Sequence, residues 1–236
     1  MNIDVITAPT VEPVTAAEAF FHLKLTADPD ADVSAQAQFA EVSRCITTSR
    51  EQCEQITRRA FVQQTLRMTI GPMRSGQRRG LQWYMNGGAD TWGSVELLRP
   101  PFVEMVAVRY YDDDNVLQTV NQDVEEGPTL YYVSSGLVSK LCFTDDFTHP
   151  SVYLRDDAIQ IDYVAGYAPV VVVEADPEED PPVEEELDYV ANVPASIKQA
   201  ILLGVQLEFD KLTPAERTAI EKARDSLLTS YRISTF

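Results

Sequence analysis

Apolar positions along the chain change their period twice. Alternating spacings of four and three link Ala35, Phe39, Val42, Ile46, Ser49, Cys53 and Ile56, which predicts one face of a long helix. Arg44, Arg50, Glu51 and Glu54 fall on its opposite face, the side expected to meet solvent or a neighbouring subunit. A shorter helix precedes it. Thr15 and Glu18 have the spacing of a capping box, the helix should run to about Leu25, and Asp28-Pro29-Asp30 breaks it. After Ala60 the period drops to two: Leu66, Met68 and Ile70 alternate with Arg67 and Thr69 as in a half-buried strand, and Gly71-Pro72 ends it.

Short strands are predicted at Val95 to Leu98, Val103 to Tyr111, Val116 to Val120, Leu130 to Val133, Leu137 to Phe143 and Ile159 to Val164, joined by turn clusters such as Asp112-Asp113-Asp114-Asn115. Residues 73 to 93, with Arg74, Arg78, Arg79, Trp83 and Trp92, read as a long exposed loop. The helical period returns after Val193, with Pro194 suited to a first helical position. Ile197, Ile201, Leu202, Leu203, Val205, Leu207 and Phe209 surround most of that helix, and such a helix is covered on several sides. Thr213-Pro214-Ala215-Glu216 is a second capping box, opening a last amphipathic helix through Ile220, Ala223, Leu227 and Tyr231. The expected class is α+β: a helical bundle of two N-terminal and two C-terminal helices, residues 1–62 and 191–236, with an antiparallel β-rich insertion over 63–169.

Charge alters this picture at one place. Residues 170 to 190 hold nine acids and no base, half of a net charge of −18 from 19 Lys+Arg against 37 Asp+Glu. With three prolines as well, the stretch is expected to be a flexible acidic segment. So acidic a chain lacks the basic face that phosphate binding by counterion release requires, which argues against general nucleic-acid binding. The 44% hydrophobic content is enough for a sizeable core. No apolar run is long enough to span a membrane and the start lacks a signal-peptide pattern, so a cytoplasmic origin is the expectation. Cys45, Cys53 and Cys142 are an odd number without C-x-x-C spacing, pointing to buried hydrophobes rather than a disulfide scaffold or zinc site.

Catalytic chemistry finds little support. The two histidines, His22 and His149, lie far apart, one among apolar helix positions and one before Pro150, and both read as structural. None of the common nucleophile, zinc, P-loop or dinucleotide motifs occurs. The carboxylate clusters Asp112-Asp113-Asp114, Asp145-Asp146 and Asp156-Asp157 read as turns, because Val116 and Leu117 stand where a calcium loop needs oxygen ligands. No cofactor is implied. The arginine and tryptophan cluster at Arg74, Arg78, Arg79 and Trp83 suits a protein contact or a surface loop better than a nucleic acid.

Several blocks, in order, resemble the head–tail connector proteins (adaptor or head-completion proteins) of tailed double-stranded-DNA bacteriophages. They are Ile6-Thr7-Ala8-Pro9 with Val14-Thr15-Ala16-Ala17-Glu18-Ala19 and Leu23-Lys24-Leu25; Glu54 to Thr65, running from a second helix into a first strand; Leu98 to Glu104 with Val108 to Asp112; Ile161 to Tyr167; and Val193 to Leu203. Residues 73–93 and 170–190 are longer than that family's pattern, and Ser230 stands where it would place a proline.

The resemblance implies a non-enzymatic structural virion protein. Such a protein forms a homo-oligomeric ring, usually a dodecamer, beneath the portal protein, extends the DNA channel, and receives a stopper, neck or tail-completion protein below. DNA then passes without sequence-specific contact. Expected portal contacts are Leu227, Leu228, Tyr231, Ile233 and Phe236, because apolar residues persist to the end of a polar tail. Expected inter-subunit residues are Ile197, Ile201, Leu202, Val205 and Phe209; Glu174, Glu178, Glu179, Glu184 and Glu185 would line or flank the channel, and Arg78, Arg79, Trp83 and Trp92 would dock the neck partner. Two other classes remain as alternatives, an acidic carboxylate hydrolase and a monomeric binding module using the Trp83 and Trp92 loop.

Overall fold

The computed structural model describes residues 2–25, 33–71, 94–122, 127–148, 150–173 and 186–233. The chain folds as α+β in two units, residues 1–8 with 63–166 and residues 9–62 with 167–236.

The first unit is built on sheets. Its five-stranded antiparallel sheet has the order β1-β2-β8-β4-β5, with β1 Asn2–Thr7, β2 Gln64–Ile70, β4 Phe102–Tyr111, β5 Leu117–Val120 and β8 Ile159–Ala165. A three-stranded sheet, β3-β7-β6, is formed by β3 Ser94–Glu96, β6 Tyr131–Ser134 and β7 Lys140–Phe143. The two-residue alternation around Leu66 produces the strand expected of it: Leu66, Met68 and Ile70 are buried while Thr65, Arg67 and Thr69 are half-covered. Strand β8 sits between β2 and β4 and is buried on both faces, through Ile159, Ile161 and Tyr163 on one and Gln160 and Asp162 on the other. The N-terminal segment was not expected to be a strand; β1 pairs with β2 from Asn2 opposite Thr69 to Val5 opposite Leu66, which puts residues 1–8 with the sheet rather than with the helices. The acidic clusters are turns. Asp112 accepts the backbone N–H groups of Asp114 and Val116 at 3.1 and 2.9 Å, closing the β4–β5 connection.

The second unit is a helical bundle of α1 Ala16–His22, α2 Val33–Thr57, α3 Ala195–Phe209 and α4 Pro214–Leu228, followed by a 3₁₀ turn, Thr229–Tyr231. Both capping boxes form, Thr15 with Glu18 and Thr213 with Glu216. Helix α1 stops earlier than expected, with Lys24 in the left-handed region at φ 56° and Leu25 N–H donating to the Phe20 carbonyl. Helix α3 starts at Ala195, one residue after its expected first position, with Pro194 as its cap. The core joins Val14, Ala19, Phe20, Val42, Cys45, Ile46, Cys53, Phe61, Val193, Ile197, Ala200, Ile201, Val205 and Leu228.

Two expectations are corrected here. Arg50 and Glu54 do not face outward; both are buried, because residues 12–14 and 60–62 of the same unit cover that side of α2. Arg50 Nε donates to Glu12 at 2.8 Å, Arg50 Nη1 to Glu54 at 2.9 Å, and the Phe61 N–H to the other Glu54 oxygen at 2.8 Å, so neither charge is left unpaired. The acidic segment is not irregular throughout, because Val170–Val173 (β9) and Glu186–Asp188 (β10) pair antiparallel and bring its two ends together.

Candidate assembly surfaces

Helix α3 has more apolar residues than one face needs, and the bundle accounts for most of them. Ile197, Ile201 and Val205 are 0% exposed and pack inside their own unit, so they are not available to a neighbouring subunit as was expected. Leu202 and Phe209 are half-buried at the margin of the same cluster. What brings α3 so close to α2 is Gly204: a Cβ there would stand 2.0 Å from Ser49 Oγ, and that hydroxyl donates to the Ile201 carbonyl at 2.7 Å.

The C-terminal residues divide in a similar way. Leu228 is fully buried in the core, which removes it from any portal contact. Leu227 and Tyr231 pack against the core from outside, and the Tyr231 hydroxyl lies 2.9 Å from that of Ser196. Arg59 Nε donates to the Tyr231 carbonyl at 2.6 Å, and the Ile233 N–H to the Thr57 carbonyl at 3.0 Å. The tail is therefore tied down as far as Ile233, because these apolar residues complete their own bundle. Phe236 lies outside the described residues, as do Glu174, Glu178, Glu179, Glu184, Glu185, Arg78, Arg79, Trp83, Trp92 and His149.

Two features were missed in the sequence. The first is a charged seam across the five-stranded sheet. Asp162, 4% exposed on β8, accepts a bidentate pair from Arg67 on β2 at 2.7 and 2.8 Å and a third bond from Arg109 on β4 at 2.8 Å. Burial pushes the Asp162 carboxyl up, but the two guanidinium groups outweigh burial and hold it below the usual carboxylate range. The only signal would have been an acid inside an apolar strand, and it does not name its partners, which are 95 and 53 residues away.

The second feature is β9. All four valines of Val170–Val173 are exposed, at 40, 48, 60 and 36%, so the described residues leave the strand open along its length. Other exposed apolar side chains lie singly or in pairs, such as Phe21 on α1 and Val5 with Ile6 on β1.

Cys45 and Cys53 are buried, as expected, and burial raises the Cys53 thiol to about 11 and also pushes Cys45 up, whereas Cys142 is only half-buried. His22 Nε2 is buried without a hydrogen-bond partner among the described residues. Among the described residues no three His, Cys, Asp or Glu groups could hold a metal ion, and no helix is long and apolar enough to cross a membrane.

No protein-family model and no curated protein matches the sequence. The fold does have solved counterparts. A chain in the neck of an empty gene transfer agent (GTA) particle, computed with C6 symmetry, superposes with a TM-score of 0.64 at 15% identity, covering 100% of this chain and 97% of that one. Chains in the virion of a native GTA particle and in its neck computed with C12 symmetry each give a TM-score of 0.57 at 15% identity, with the same coverage.

Proposed function

We propose that this chain is a structural neck protein of a phage-like particle, a head–tail adaptor whose copies form a ring under the portal, extend the DNA channel and receive the next neck component. The observation that carries the reading is the end-to-end likeness of fold to a neck chain, with both chains covered almost completely. The order of the sequence blocks points the same way, although no single block would suffice.

The physical character of the chain fits this work. A channel protein must let DNA pass without holding it, and a net charge of −18 disfavours retention of a polyanion. Leu202 and Phe209, at the margin of the bundle, remain candidates for contact between copies, while Ile197, Ile201 and Val205 support that surface from within. For the portal, the tail beyond Ile233 is the proposed contact, with Leu227 and Tyr231 fixing where it leaves the bundle.

Native mass spectrometry of the chain, alone and with its cognate portal, tests the proposal. A closed ring, formed alone or only on the portal, is the expected result. A monomer indifferent to the portal would overturn it.

A further inference from the structure

Strand β9 is a run of four valines with water on both faces, a pattern otherwise found in strands buried on both sides. Among the described residues its partner is β10, which covers a single edge, and the pair forms a sheet of two strands. A ribbon of that size is at best marginally stable in water; a third strand or a covering surface is needed. All four consecutive apolar side chains are left at least 36% exposed, more than the other apolar residues of the described chain show in sequence.

We infer that β9 is a seam between adjacent copies of this chain, laid along an exposed edge of the next copy; this rests on the ring reading above. A ring with cyclic symmetry needs two different patches on each subunit, one meeting the other on its neighbour. The chain has a second patch of matching character: Val5 and Ile6 are 46 and 49% exposed on β1, the outer strand of the five-stranded sheet. At the opposite edge, exposed Val116 and Leu117 adjoin a turn with three aspartates, Asp112, Asp113 and Asp114, against the single acid Asp4 on β1, so an acidic second copy is repelled less at β1. Charge also selects the occupant. A basic partner would be drawn to the acids that flank the ribbon rather than to four uncharged valines. By contrast, two copies that each carry −18 associate only by burying apolar surface, and salt relieves their repulsion.

The test uses the full chain with its cognate portal, comparing wild type with Val171→Lys, Val172→Lys and Ile6→Lys. The register shifts at Val172, so the two valine variants probe a paired position and the bulged position of β9, and lysine attracts the neighbouring acids rather than adding to their repulsion. The expected result is an unchanged circular dichroism spectrum with at least a tenfold loss of ring in each variant, and a wild-type ring that strengthens between 50 and 500 mM salt, as the Debye length falls from about 14 to about 4 Å. Rings formed as in wild type would overturn the inference while leaving the adaptor reading intact. So would intact variant rings that fail to take up the next neck component, since that outcome assigns β9 to a different protein. A wild-type chain that makes no ring even on the portal overturns both. Should a variant misfold, hydrogen exchange on wild type decides: β9 amides must become protected on assembly, and equal exchange in monomer and ring sinks the seam.

Discussion

Asp162 shows how much one side chain can hold together in this sheet. Its carboxylate satisfies two arginines on two different strands, so replacing it leaves both cations facing an uncharged amide. Asp162→Asn is expected to cost about 2–4 kcal/mol at pH 7, as for other broken buried pairs. The sign of the pH dependence follows from the depressed folded-state value: the stabilisation is complete above the unfolded carboxylate range, near 4, and is lost as pH falls through the lower folded value. Denaturant titrations at pH 7 and pH 3 should therefore show the gap between wild type and variant shrinking in acid; a gap that widens would contradict the assignment. Lys24 is a case of the opposite kind, an exposed residue held at φ 56° after α1 only because the chain must turn there. Lys24→Gly removes that strain and should stabilise the bundle by about 0.5–1 kcal/mol, read from the denaturation midpoint.

At the scale of elements, the contact of α2 with α3 is set by volume. Gly204→Ala would drive a methyl group into Ser49, and displacing that side chain should cost about 1–3 kcal/mol. Adding Ser49→Ala removes the atom met at 2.0 Å, so the double variant should be less destabilised than the sum of the two single ones. Strict additivity in thermal melts would mean that the helices separate rather than repack. The elements also differ in how far they could be foreseen. The capping boxes of α1 and α4 are local, four residues each, and both formed as written. Strand β1 is equally short in sequence, yet it exists because β2 lies beside it, and nothing within residues 2–7 announces a partner at residues 65–69.

For the whole molecule the tail provides the sharpest test. Because Tyr231 and Ile233 are bonded to the bundle, deleting residues 230–236 should destabilise the fold as well as any assembly, whereas deleting only 234–236 should leave the melting temperature unchanged and weaken portal binding. Equal portal binding by the shorter deletion would remove the C-terminus from the proposed contact. Comparing the two deletions separates folding from docking, which a single truncation cannot do.

By itself the sequence determined which segments are helices and most of the strands, because periodicity, capping residues and turn chemistry act over a few neighbouring positions. It also determined the acidic character of the surface, which is a matter of counting. Tertiary structure alone decided which apolar residues remain exposed. Ile201, Leu228 and Val172 are all aliphatic residues in regular elements, but the first two are buried against the facing helices of their own bundle and the third is 60% exposed. The same holds for charge: Arg50 and Glu51 are adjacent on α2, and only the returning chain at residues 12–14 and 60–62 makes the first a buried ion pair and leaves the second in solvent. Exposure depends on what arrives from distant parts of the chain, and that information is not carried by the spacing of residues within one element.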